Sequence, residues 1–154
     1  MRIGVVTFPG TLDDRDAARA VKYAGAEAVS LWHGDADLKG VDAVILPGGF
    51  SYGDYLRCGA ISRFAPVMTE IIAQANKGMP LLGICNGFQA LIKLGLVPYG
   101  EIRDINPTDP TLTYNTIGRH ISLMAETEVV SNLSPWLQNC SVGDRHQIAL
   151  SHGE

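Results

Sequence analysis

Four short apolar runs constrain this chain more than anything else in it. Residues 3–8, 28–31, 41–46 and 81–84 are rich in β-branched and aliphatic side chains, and turn residues bound them. Continuous apolar runs of this length fit strands buried on both faces. Helical patterns lie between them. Asp13 and Asp14 open the first, with Ala17, Ala20, Val21 and Ala24 as its apolar face and Gly25 as its stop. Pro66 marks the first turn of the next, whose buried stripe is Val67, Met68, Ile71, Ile72 and Ala75, and Gly78 ends it. A third helix follows Cys85-Asn86-Gly87 directly and runs to about Leu94. Strands alternating with helices of this length predict a parallel sheet with right-handed crossovers.

The second half has a different texture. Residues 99–120 are rich in Thr, Pro, Asn and Asp and read as loops and turns. Residues 121–125 and 127–130 read as two short strands, added antiparallel at a sheet edge. Residues 133–137 read as a turn or short helix, and residues 147–151 as a last strand leading to His152.

The 154 residues suit one domain, and 46% hydrophobic content supplies a core. A net charge of −4 argues against a protein that grips nucleic acid through a basic patch. No apolar stretch is long enough to span a bilayer, and the first ten residues do not form a signal-peptide core. Cys58, Cys85 and Cys140 are odd in number and widely spaced, which suggests neither a disulfide framework nor a metal site. The expected setting is cytoplasmic, with reduced thiols.

The chemistry concentrates in Leu81-Leu82-Gly83-Ile84-Cys85-Asn86-Gly87-Phe88-Gln89. An apolar strand ends on a cysteine, glycines stand two residues to either side, and a helix begins at once. This is the layout of a nucleophile elbow with a thiol in place of a hydroxyl. Glycines leave room for the tight turn, and the helix N-terminus favours the attacking thiolate. The N–H of Asn86 is placed to hold an oxyanion. The bland alternative for a lone cysteine is a packed strand end, and the paired glycines argue against it here. Cys58 and Cys140 lack that context and read as structural.

The loop after the third strand runs Pro47-Gly48-Gly49-Phe50-Ser51-Tyr52-Gly53-Asp54-Tyr55. Loops at the carboxyl ends of neighbouring parallel strands share one crevice, so this loop should face Cys85. Gly49 then offers a second oxyanion donor. A Gly-Gly pair alone is an ordinary turn, and only the elbow raises its meaning. Among His33, His120, His146 and His152, the last is distinctive, because Glu154 stands two residues on and projects to the same side of an extended segment. On spacing alone, a solvated tail carrying a stray histidine is the simpler account.

Taken together, Pro47-Gly48-Gly49, Gly83-Ile84-Cys85-Asn86-Gly87-Phe88-Gln89 and His152-Gly153-Glu154 resemble the class I glutamine amidotransferases. The loop from Gly48 to Arg57, Thr7-Phe8-Pro9-Gly10 and Asn115-Thr116-Ile117-Gly118-Arg119 are similar to the glutaminase component of phosphoribosylformylglycinamidine synthases, of purine biosynthesis. The resemblance covers nearly the whole chain. It implies a flavodoxin-like, open, mostly parallel sheet with helices on both faces. It also implies a triad of Cys85, His152 and Glu154, and an oxyanion hole from Gly49 and Asn86. Phe50, Gln89, Asn115, Gly118 and Arg119 would hold glutamine. No metal or cofactor is implied in this chain, since no Walker-type loop is present. ATP and Mg belong to a synthetase partner, with a small bridging subunit as a further candidate. Asp54 and Arg57 would touch a partner or brace the loop. Members of the family continue past the His-Gly-Glu element, so residues 1–154 are expected to be a single domain cut short at its C-terminal end. The stretch after Val97 is more similar to the fused, long-chain synthases. The alternative function is a partner-docking module without turnover. A different cysteine-elbow hydrolase or peptidase would lack the Gly-Phe-Ser-Tyr-Gly-Asp loop.

Overall fold

The central strand is the first one. β1 (Arg2–Thr7) is buried over its middle four residues, with a parallel neighbour on each side. The computed structural model describes residues 1–53, 61–101, 103–104 and 106–153. Its order in the first unit is β1, α1 (Asp14–Tyr23), β2 (Glu27–Trp32), β3 (Ala43–Leu46), α2 (Pro66–Ala75), β4 (Leu81–Gly83), α3 (Asn86–Lys93) and the short α4 (Leu96–Tyr99). The sheet order is β2-β1-β3-β4, all parallel, with Val5 opposite both Ser30 and Ile45, and Leu46 opposite Gly83.

The period of two along each strand sorts the side chains into two apolar layers. Val6, Val29, Leu31, Val44 and Leu46 pack with Val67, Met68 and Ile71 of α2 and with Ala90 and Leu91 of α3. Ile3, Val5, Ile45 and Leu82 pack on the other face with Ala17, Ala18 and Val21 of α1. The sheet therefore carries helices on both faces, as the resemblance implied. Burying each large side chain in these layers contributes roughly 1.5–3 kcal/mol.

Several sequence expectations need correction. Ala20 and Ala24 are exposed, and the working face of α1 is Ala17, Ala18 and Val21. At about 100° per residue Ala20 points away from that face, and Ala24 lies past the last turn. β3 begins at Ala43, two residues later than expected, while Val41 packs at the edge of the larger layer.

The chain divides into two compact units, residues 1–112 and 113–154. In the second unit, β5 (Ile121–Glu128) and β6 (Arg145–His152) form a two-stranded antiparallel sheet of their own. Ile121 pairs with His152, and Glu128 with Arg145. The two short strands expected over 121–130 are one strand, because the ladder runs unbroken through Glu126 and Gln147. β6 starts at Arg145, where ion pairs to Glu126 and Glu128 hold it, rather than at Gln147. A single 3₁₀ turn, Pro135–Leu137, is capped by Ser134.

Candidate active site

β4 ends at Gly83, and α3 begins at Asn86. Between them Cys85 takes φ +51° and ψ −111°, a conformation that L-residues rarely adopt. Such strain persists only where the surroundings hold it, and it collects at functional positions. The surroundings here are tight. The Ile84 N–H donates to the Leu46 carbonyl (3.0 Å), the Gly87 N–H to Ile84 (2.9 Å) and the Gln89 N–H to Cys85 (3.0 Å). A methyl on Gly83 would lie 2.7 Å from both the Gly87 carbonyl oxygen and Leu91 Cδ1. A methyl on Gly87 would run into the Leu46 carbonyl. Both glycines are thus required by close approach of strand and helix backbones. The thiol itself is exposed and unpaired with another sulfur.

The loop after β3 lies against the same turn. A methyl built on Gly48 would come within 3.3 Å of Cys85 Cβ. The loop after β1 holds this segment from the other side. Leu12 and Asp13 N–H groups donate to the Gly48 carbonyl (3.2 and 3.3 Å), and the Phe50 N–H donates to Gly10 (2.9 Å). Gly49 has φ +143°, and a side chain there would meet Leu12 N at 2.6 Å. Only glycine passes. Among the described residues, the N–H groups of Gly49 and Asn86 donate to no protein acceptor. An oxyanion hole requires free N–H donors of this kind.

Buried polar side chains fix these loops. Ser51 Oγ lies 3.1 Å from Thr11 Oγ1, which also accepts the Phe8 N–H at 2.9 Å. Asn86 Nδ2 reaches the Gly53 carbonyl at 3.4 Å and Gln89 Oε1 at 3.3 Å. Gln89 is buried, so its side chain sits in this bracing network, while Phe50 stands 60% exposed on the loop. Phe8 and Trp32 rings pack around His33, and the Tyr52 hydroxyl lies 3.4 Å from His33 Nδ1. Burial pushes the Tyr52 phenol up from its ordinary value.

The second unit gathers the remaining expected site residues. The Asn115 N–H donates to the Gly153 carbonyl (2.9 Å), the residue after His152. The Gly118 N–H closes a turn onto the Asn115 carbonyl (3.0 Å). Asn115 Nδ2 donates to the Arg119 carbonyl (2.6 Å), and Asn115 Oδ1 accepts the Arg119 N–H (3.3 Å). Asn115, Gly118, Arg119 and His152 thus share one end of the β5–β6 ribbon. Glu154 lies outside the described residues, as do Asp54, Arg57 and Cys58.

A family description, the CobB/CobQ-like glutamine amidotransferase domain, matches residues 1–154. The chain belongs to this family. A protein from Leifsonia xyli subsp. xyli, named phosphoribosylformylglycinamidine synthase subunit PurQ, is 54% identical over 154 residues. That match covers 100% of this chain and 62% of the relative. The protein of the same name from Rhodococcus jostii is 77% identical over 97 residues, which is 63% of this chain and 43% of the relative. A solved structure, titled Structure of PurLQS from Thermotoga maritima, has a chain that superposes with a TM-score of 0.83 at 36% identity. It covers 99% of this chain and 66% of that one. These matches therefore span less than two thirds of each relative, from 43% of the Rhodococcus jostii protein to 66% of the Thermotoga maritima chain.

The amidotransferase domain also uses residues that sequence reasoning passed over. Thr11 and Asp13 hold the donor loop, and Ser51 and the Asn86 side chain brace it. The signal was the Pro9-Gly10 pair after β1, which repeats the Pro47-Gly48 pair after β3, its sheet neighbour. Among the described residues, no helix is long and apolar enough to cross a membrane.

Proposed function

We propose that this chain hydrolyses glutamine to glutamate and ammonia. Cys85 Sγ attacks the side-chain carbonyl carbon of glutamine, and the oxygen gains charge beside the Gly49 and Asn86 N–H groups. His152 takes the thiol proton and passes it to the departing nitrogen, which leaves as ammonia. Water then adds to the γ-glutamyl thioester, gives a proton to His152 and returns the thiol as glutamate leaves. Glu154 orients the His152 ring. Phe50, Gln89, Asn115, Gly118 and Arg119 hold or frame the substrate, Gln89 by keeping the elbow in place. Each oxyanion donor contributes about 3 kcal/mol to the barrier lowering.

The ammonia feeds an ATP-dependent synthetase that converts formylglycinamide ribonucleotide to its amidine in purine biosynthesis, in the cytoplasm. ATP and Mg stay with that partner. The relatives' names support this destination, and the PurLQS assembly of Thermotoga maritima supports a synthetase subunit and a third subunit as partners. The single observation that carries the chemistry is the exposed thiol at φ +51° on a strand-to-helix turn.

The test is intact-mass detection of labelling by a glutamine-mimicking electrophile, alongside glutamate release. One adduct is expected, blocked by excess glutamine and absent in Cys85→Ala. A folded chain that takes no adduct, alone or with the synthetase, overturns the enzymatic reading and leaves the partner-docking one.

A further inference from the structure

We propose that Cys140, Asp144 and His146 form a zinc site in the β5–β6 ribbon, apart from the glutaminase chemistry. The sulfur, one carboxylate oxygen and one ring nitrogen lie within 4.8 Å of one another. Ligand atoms around a tetrahedral Zn²⁺ stand about 3.5 Å apart, given bonds of roughly 2.0–2.3 Å. Asp144 and His146 are exposed, so small side-chain rotations close the gap without moving the core.

The backbone that carries these groups is already pinned, which keeps the ordering cost of binding low. The Cys140 N–H donates to the Leu137 carbonyl (2.9 Å), and the Cys140 carbonyl accepts from Asn132 Nδ2 (3.2 Å). The Val129 N–H donates to the Asp144 carbonyl and the Gly143 N–H to Val129, each at 2.9 Å. Asp144 Oδ2 accepts the Ser141 N–H at 2.7 Å, which fixes the carboxylate plane as an outer-shell partner does. His146 is set by its place in β6 opposite Thr127.

The donor set selects the metal class. A thiolate and an imidazole favour a borderline ion over Mg²⁺ or Ca²⁺, which prefer all-oxygen shells. One thiolate and one carboxylate neutralise the dication, and the imidazole binds uncharged. Cys140 gives its proton to solvent on binding. Three protein ligands leave a fourth position for water. The single thiol explains why cysteine spacing showed no metal site: the pattern is Cys-x₃-Asp-x-His, with one cysteine only. His146 and His152 stand six residues apart on β6, about 20 Å along the strand, so this metal does not share the proposed catalytic histidine.

Co²⁺ titration under anaerobic conditions tests the site in the full chain with Cys58→Ser and Cys85→Ser in place. The expected result is a near-ultraviolet thiolate-to-cobalt band that saturates at one Co²⁺ per chain. Zn²⁺ should bleach it. Asp144→Asn and His146→Gln, each checked for an unchanged far-ultraviolet spectrum, should shift its midpoint more than tenfold. No band in a folded chain overturns the proposal. So does a band whose midpoint ignores both substitutions, since that is a thiol binding cobalt alone.

Discussion

Cys85 holds a backbone conformation that favours glycine, and that strain offers a direct measurement. Replacing Cys85 by alanine removes the thiol and keeps the strain, whereas glycine removes both. Cys85→Gly is expected to be more stable than Cys85→Ala by about 1 kcal/mol in urea unfolding, although glycine usually costs stability. Equal stability, or a more stable alanine variant, would mean that the elbow relaxes when the sulfur is gone. At this scale the sequence was informative where a residue's chemistry is local. The elbow was visible because two glycines flank a cysteine at a strand end. The bracing by Thr11, Ser51 and the Asn86 side chain was not. Those bonds join residues 40 and 33 positions apart, and no local pattern records such a partner.

At the scale of elements, the four parallel strands and three helices were legible because burial imposes a period. β5 was read as two pieces, since an exposed ribbon has little apolar alternation to mark its continuity. The segment after α3 was read as loop, and side chains hold it. Asp109 accepts the Asn106 N–H (2.8 Å), the Tyr99 hydroxyl (2.9 Å) and Arg103 (2.7 Å), whose guanidinium covers the Tyr99 ring. The Asn106 N–H foremost, then Tyr99 and Arg103, hold the Asp109 carboxyl below its ordinary 3.8 against the opposing effect of burial. A depressed carboxylate stabilises the fold above its unfolded value and ceases to as pH falls through its folded one. The advantage of the wild type over Asp109→Asn should therefore shrink as pH drops below about 3.8. Chemical denaturation across that range reads it, and a constant advantage would assign the effect to packing. Tyr99, raised first by burial and then by its bond to Asp109, has the opposite sign. Its contribution is present below 10.0 and is lost as pH rises through its raised value.

For the whole molecule, the two units differ in how they are held. Both apolar layers lie within residues 1–112. Among the described residues of 113–154, Val129 alone is a buried hydrophobic. Two-stranded hairpins are marginal by themselves. A fragment of residues 1–112 should unfold cooperatively in urea, and a fragment of 113–154 should show no such transition. The first fragment keeps Cys85 but lacks His152, so it is expected to fold and release no glutamate. Cooperative unfolding of the second fragment would refute this division of stability. Much of the chain's identity was legible because the Gly48-Gly49 loop and the Cys85 elbow sit in the well-buried unit, while the Asn115–Arg119 and His152 motifs lie in the other. The division into units was not, because the loop-rich stretch 99–120 runs across residue 112 and no distinct linker marks the boundary.

The strand order β2-β1-β3-β4 also carries a timetable. A chain leaving the ribosome presents β1 first, and each later strand finds an edge already emerged: β2 on one side of β1, β3 on the other, β4 on β3. The turn at Cys85 joins β4 to α3, the last strand of this sheet and the helix that follows it. The Cys85 thiol therefore leaves the ribosome after every strand of the scaffold that restrains it.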